Sequence, residues 1–148
     1  MKHPEEICAE LVALLTTDTF GFSYGAPPDQ NFDADEYTYP HVFLDKPIRA
    51  KVFNSKSGTR ELTVAMQLFF AYKTEMDETE PDKFNNVKVV AWNSAREFVL
   101  RLRKYDDYIK DVVDEQLTDV DHVFDINLSG VLLEVTVVII DAGGICLT

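Results

Sequence analysis

Two stretches of the chain alternate between apolar and polar residues as half-buried β-strands do. Thr59–Tyr72 carries large apolar side chains at every second position, and Ser129–Ile140 repeats the pattern with valine, leucine and isoleucine. Because successive side chains of a strand point to opposite faces, each stretch has one wholly apolar face. These faces consist of Leu62, Val64, Met66, Leu68, Phe70 and Tyr72, and of Val131, Leu133, Val135, Val137 and Ile139. The pattern predicts two long strands that line one core.

Shorter extended segments precede the first long strand. Tyr39–Leu44 reads as a strand with a proline near its start, and Ile48–Phe53 resumes the extended pattern after Pro47. The cluster of turn-forming residues Asn54–Gly58 then predicts a hairpin into the strand that begins at Thr59.

Helical spacing of apolar residues appears in two places. Pro4–Thr16 begins with proline and two glutamates, which favour a helix start, and then carries an apolar stripe. Val87–Lys104 carries a second stripe and ends in basic residues, with Asn85 or Asn86 as its cap. The stripes consist of Ile7, Leu11, Leu14 and Leu15, and of Val87, Val90, Ala91, Ser94, Ala95, Phe98 and Leu102.

The remaining segments are predicted as connections. Phe20–Tyr37 is rich in glycine, proline and aspartate and reads as a loop pinned by its aromatic rings, with a binding arm as the alternative. Lys73–Lys83 is an acidic, solvated connection. Tyr105–Glu115 is predicted to hold a short helical turn, and Asp119–Asp125 leads into the final strand, with Val123–Ile126 as a candidate strand.

These elements predict an α+β fold in which two main helices pack on one face of a mostly antiparallel sheet. A chain of 148 residues suggests one domain, spanning residues 1–148. A domain of this size buries about two-thirds of its unfolded surface, so it needs no metal or disulfide for stability.

The formal net charge of -12 limits which kinds of molecule the protein is expected to bind. It argues against nucleic-acid binding through phosphates and against adsorption to an anionic membrane, while a basic partner or an acidic lining that repels DNA stays open. Glutamates interrupt the apolar run near the N-terminus, so no signal peptide is expected. Cys8 and Cys146 lack any C-x-x-C spacing, which suits a reducing compartment. We therefore expect a soluble, cytoplasmic protein.

The residues that could carry chemistry form no recognisable motif. Asp119, Asp121, His122 and Asp125 offer oxygen ligands for Mg²⁺ or Ca²⁺, but they lack the order of an EF-hand and read as an acidic loop. His41 lies in a predicted strand and is interpreted as a hydrogen-bonded sheet histidine. The sequence shows no phosphate-binding loop, nucleophile elbow or H-E-x-x-H motif. We predict no catalytic activity, no cofactor and no metal site.

The second predicted helix carries large side chains away from its core stripe. They are Val89, Trp92, Arg96, Leu100 and Arg103. Tryptophan and arginine are favoured anchors at protein interfaces, so these five residues are predicted to form a subunit contact. The alternative is that Trp92 only flanks the core.

Three motifs resemble the phage tail-terminator and tail-completion proteins, especially the prophage versions found in Bacteroidetes. Tyr39–Leu44 resembles the Y/F-P-x-V-F/L-x strand after the first helix of that group, and Ala91–Arg96 opens the matching second helix. Leu128–Thr136 resembles the L-x-G-W-R-x-x-x-T strand, with Cys146 near the end; here Val131 and Leu132 stand where tryptophan and arginine are usual.

The resemblance implies a tail-terminator-like fold and a non-catalytic protein. Members of the group form a ring, commonly a hexamer, that ends the tail tube and joins it to the head. The implied partners are copies of this chain and other phage tail or connector proteins, first in the bacterial cytoplasm and then in the virion. The main alternative is a small acidic module that binds unfolded segments, like a secretion chaperone, and a third is an enzyme whose site is assembled from distant residues.

Overall fold

A computed structural model describes residues 3–25, 40–54, 60–73, 87–105, 109–123 and 128–141. Within these ranges there are two helices, α1 (Pro4–Ala13) and α2 (Val89–Arg103). The strands are β1 (Gly21–Gly25), β2 (His41–Asp45), β3 (Arg49–Asn54), β4 (Arg60–Lys73), β5 (Ile109–Val123) and β6 (Leu128–Asp141). The fold class is therefore confirmed as mixed α+β, with a mostly antiparallel sheet and two helices.

The six strands form one sheet in the order β1-β2-β4-β6-β5, and β3 pairs with β4 beside β2. The long strands β4 and β6 are antiparallel along their whole length, from Arg60 opposite Asp141 to Lys73 opposite Leu128. β2, β3 and β5 also pair antiparallel, whereas β1 runs parallel to β2. The predicted hairpin between β3 and β4 is confirmed by their register.

Both helices cover the same face of the sheet. The apolar faces predicted for β4 and β6 are buried there, with Tyr72 partly buried, and the Phe98 ring of α2 meets the Phe70 ring at 5.9 Å between centroids. Cys8 of α1 contacts Met66 of β4, with 3.6 Å between their sulfur atoms. Burial of each large apolar side chain contributes roughly 1.5–3 kcal/mol, so these faces dominate the stability of the fold.

The opposite face, which we call the open face, has a smaller apolar cluster at one end. Phe43, Phe69 and Ala71 are buried in it, and Val120 and Leu132 pack against them. The rings of Phe43 and Phe69 pack together and cover this end of the face. At the other end, Ala65, Gln67 and Glu134 are exposed.

The helices follow the predicted patterns with small differences. α1 starts as predicted, with the His3 ring Nδ1 accepting a hydrogen bond from the Glu5 amide, but it ends at Ala13 and leaves Leu14 54% exposed. In α2 the predicted stripe is buried except for Val90, which is partly exposed, and Val99 is also buried. Asn85 and Asn86 lie outside the described residues.

Three predictions about the connections are wrong. Ile109–Glu115, within the segment predicted to hold a helical turn, is the first half of β5, and Asp119–Val123, predicted as an acidic loop, is the end of β5. Gly21–Gly25 forms β1 where a loop was expected. In β5 a register shift separates Ile109 from Asp111 and another separates Val112 from Asp114. The first of these shifts places the buried residues Ile109 and Val112 three positions apart, a spacing typical of a helix.

Several predicted segments lie outside the described residues. They are the rest of the Phe20–Tyr37 loop from residue 26, the Asn54–Gly58 turn after Asn54, the acidic connection after Lys73, the region of Asp125 and Ile126, and the Gly143-Gly144 pair with Cys146.

Candidate functional site

The five residues predicted as a subunit contact share the outward side of α2. Val89, Arg96, Leu100 and Arg103 are exposed, with Leu100 at 56%. Their spacing of three or four residues places them on one side of a helix. Trp92 differs, because it is only partly exposed and packs against the core cluster. The structure therefore brings four of these side chains to the surface.

Trp92 and Arg103 connect α2 to β5. The Trp92 indole N–H donates a hydrogen bond to the Asp119 carboxylate. The Arg103 guanidinium lies 3.6 Å from the Glu115 carboxylate, and both side chains are nearly half exposed. These contacts could not be predicted from the sequence, because the segment that carries both acids was not predicted to be a strand.

A second structural link joins α2 to the end of α1. Glu97 of α2 accepts hydrogen bonds from the backbone amides and hydroxyls of Thr16 and Thr17, at 2.8–3.0 Å, and from Arg101 Nε at 2.8 Å. Burial alone would raise the pKa of Glu97, but these donors outweigh it and lower the pKa to about 2. The carboxylate therefore fixes the chain where it leaves α1.

A shallow groove of about 490 Å³ runs beside this link, between α1 and α2. Its apolar walls include Leu14 and Leu100, both more than half exposed, and Tyr105 closes one side. Arg101 and Lys104 add positive charge at the rim. Such a groove can take an apolar side chain whose neighbours are acidic.

The β3 edge of the sheet is basic and exposed. All six residues of Arg49–Asn54 are exposed, with Val52 at 48% and Phe53 at 64%. Arg49 and Lys51 point to the open face, since their partners Ala65 and Thr63 belong to it. Neither cation has an ion pair within the described part of the chain.

The β5 edge is acidic. Ile109–Val123 contains five carboxylates and one lysine, which gives a net charge of -4, and Lys110 is already paired with Glu61 at 2.6 Å. Asp111, Val113 and Asp114 are exposed, with Val113 at 51%. Within the described ranges, no strand pairs with the outer side of β5 or of β3.

A polar trough of about 450 Å³ crosses the open face between these two edges. Ala65 and Thr136 form part of its floor, while Arg49 lines one side and Asp114 the other. Burial raises the pKa of Asp45 at its margin. The trough has the charges to bind a polar group.

Two other residues that could carry chemistry, His41 and Asp119, make hydrogen bonds within the fold. His41 is buried, and its Nε2 lies 3.0 Å from the Ser23 hydroxyl, as expected of a hydrogen-bonded sheet histidine. The Asp119 carboxylate accepts the hydrogen bond from Trp92, and the side chains of Asp121, His122 and Asp125 are outside the part of the chain that the structure describes. Within the described chain, no group of three or more acidic, histidine or cysteine side chains could hold a metal ion.

Cys8 is fully buried beneath the sheet. Burial, with a smaller contribution from Glu5, raises the pKa of its thiol to about 12. A thiol of this kind stays protonated and is a poor nucleophile.

No protein-family model matches this chain, and no curated protein matches it. No helix among the described residues has the length and apolar character needed to cross a membrane.

Proposed function

We propose that this protein is a non-catalytic structural subunit that assembles with copies of itself into a ring, in the manner of phage tail-terminator and tail-completion proteins. The observation that carries the proposal is the contrast between the two outer edges of the sheet. β3 presents two cations, whereas β5 has a net charge of -4. Surfaces that attract each other but not themselves favour head-to-tail contacts, and head-to-tail contacts that close produce rings.

Exposed apolar side chains support an association role for both edges. On β3, Val52 is about half exposed and Phe53 is more than half exposed, and on β5 Val113 is about half exposed. Such side chains gain free energy when a partner covers them, at about 25 cal/mol per Å² of buried apolar area. Each edge therefore combines a charge that guides association with apolar area that stabilises it.

The resemblance to tail-terminator proteins supplies the biological setting of the proposal. The ring would sit at the head–tail junction of a phage or prophage particle, with tail and connector proteins as its other partners. The net charge of -12 agrees with a ring through which DNA slides without binding.

The mass of the purified protein in solution tests the proposal. We expect light scattering after gel filtration to give a species several times the 16.8 kDa of one chain, and electron microscopy to show closed rings. Assembly should weaken as salt increases, because screened charges attract less. A monomer at millimolar concentration in low salt would contradict self-assembly.

The groove between α1 and α2 favours a second function, a module that binds unfolded segments of another protein. Leu14 and Leu100 are exposed there beside Arg101 and Lys104. A stable dimer that binds acidic amphipathic peptides, and loses them in Leu100→Ser, would favour this function over the ring.

A further inference from the structure

The cations of β3 and two carboxylates of β5 lie at the same heights along the strands, on opposite edges of the sheet. Arg49 is opposite Ala65 of β4, Ala65 is opposite Thr136 of β6, and Thr136 is opposite Asp114 of β5. These four residues form one row across the open face. It starts at a cation on one edge and ends at a carboxylate on the other.

A second row repeats the relation. Lys51 is opposite Thr63, Thr63 is opposite Val138, and Val138 is opposite Asp111. Each of the two cations of β3 therefore has a carboxylate at the opposite edge, on the same face of the sheet and at the same height along the strands.

A β-bulge makes this correspondence possible. Asp111 and Asp114 are three residues apart and would point to opposite faces in a regular strand. The register shift between Val112 and Asp114 inserts Val113 as an extra residue. Both aspartates therefore face the open side, while Val112 stays buried in the core.

The directions of the strands also suit an edge-to-edge contact. β3 is antiparallel to β4, β4 to β6, and β6 to β5, so neighbouring strands alternate in direction from one edge to the other. A second copy placed beside the first, in the same orientation, brings its β3 antiparallel to β5. The alternation then continues across the boundary at the usual spacing of about 4.8 Å.

We propose that β5 of one copy pairs with β3 of the next, so that Asp114 meets Arg49 and Asp111 meets Lys51 of the neighbouring copy. This inference rests on the proposed function and names the surface that forms the ring. Because paired charges lie at equal heights, the contact needs no shift along the strands. A repeated head-to-tail contact forms a ring when the rotation between copies closes and no shift accumulates along the axis, and contacts at equal heights meet the second condition.

The contact involves the first half of β5. β2 pairs with β4 beside Leu68 and Phe70, and β1 pairs with the outer side of β2, so the sheet is wider there than at β3. A neighbouring copy can therefore contact β3 directly only through Ile109–Glu115 of its β5. β1 lies at the level of Leu117–Val120, where β5 pairs regularly with β6. In the proposed contact, β5 of the neighbouring copy must therefore diverge from the sheet after Glu115.

Reversing the charge of each edge separately tests this contact. Arg49→Glu with Lys51→Glu makes both edges acidic, and Asp111→Lys with Asp114→Lys places cations at both ends of both rows. Each double variant alone should be monomeric, because like charges face each other at every boundary, with a loss of affinity on the order of 100-fold. An equal mixture should assemble again, since each edge of one variant is then complementary to an edge of the other.

The control is the pair Arg96→Glu and Leu100→Ser on the outward side of α2, which should leave the edge contact unchanged. Far-UV circular dichroism and thermal unfolding establish that each variant is folded. Recovery of the wild-type mass in the mixture, measured by light scattering, supports the inference.

Three results would overturn it. If the wild type forms rings and both edge variants still assemble, the edges are wrong and the proposed ring stands. If the α2 control dissociates and the edge variants do not, the outward side of α2 is the interface. If wild type and mixture both stay monomeric at millimolar concentration, the inference and the proposed function fail together.

Discussion

The link between Glu97 and the end of α1 makes a quantitative prediction for Glu97→Gln. The carboxylate accepts hydrogen bonds from Thr16, Thr17 and Arg101, and glutamine keeps its shape while removing its charge. A pKa lowered from 4.5 to about 2 corresponds to roughly 3 kcal/mol of stability at neutral pH. Solvent at this surface position screens part of that energy, so we expect Glu97→Gln to lose about 1–2 kcal/mol.

The pH dependence gives the sign of the effect. Because the folded-state pKa lies below the unfolded value, the carboxylate stabilises the fold fully above about pH 4.5. This contribution declines as the pH falls towards 2, to roughly half or less by about pH 3. The difference between wild type and Glu97→Gln should therefore be largest at neutral pH and should shrink on acidification.

Urea denaturation followed by the fluorescence of the single tryptophan, at about pH 7 and again near pH 3, measures both effects. Glu115→Gln is the matched control, since Glu115 is nearly half exposed and 3.6 Å from its cation. The control should change stability by less than about 0.5 kcal/mol. Equal losses in the two variants, or a loss in Glu97→Gln that is the same at both pH values, would refute the reasoning.

Three further predictions concern the core and its connections. Gly130→Ala should lose about 3 kcal/mol in urea denaturation, because its Cβ would lie 1.9 Å from the Phe70 carbonyl oxygen on β4; a loss below about 1 kcal/mol would contradict that close approach. Trp92→Phe should lose about 1–2 kcal/mol in thermal unfolding, since Asp119 then lacks its indole donor; unchanged stability would show that the bond is unimportant. The Cys8 thiol, whose pKa burial raises to about 12, should resist iodoacetamide in the native protein and react in urea, as mass spectrometry can show; rapid native labelling would contradict its burial.

The long strands and the two helices could be predicted because their core faces are continuous. A slip of one residue in the register of β4 or β6 would expose every apolar side chain on its core face. Apolar residues therefore stand at every second position of both strands. In α2 the small residues Ala91 and Ala95 are on the side of the helix that faces the sheet and are fully buried, as the apolar stripe predicted. Where buried residues recur at a regular spacing, the local sequence is sufficient to predict the helix or strand.

The same reasoning fails for β5 and β1 for different physical reasons. In β5 the register shift between Ile109 and Asp111 changes the spacing of the buried residues Ile109 and Val112 from two to three, which mimics a helix. In β1 the strand is only five residues long, and its terminal glycines, Gly21 and Gly25, are typical of turns. Its pairing with β2 stabilises an extended segment that its composition does not favour.

The candidate interface is still harder to predict, because it depends on register across four strands. The sequence separates Arg49 from Asp114 by 65 positions, and only the successive pairs through Ala65 and Thr136 place them in one row. The bulge at Val113 is also required, since without it Asp111 and Asp114 would face opposite sides. β5 thus has two register shifts with different effects: the shift before Asp111 gives its buried residues a helix-like spacing, and the shift at Val113 aligns its carboxylates. An extra residue in an edge strand normally discourages pairing with other chains, but here Val113 gives that edge a charge pattern that one partner matches, namely β3 of another copy.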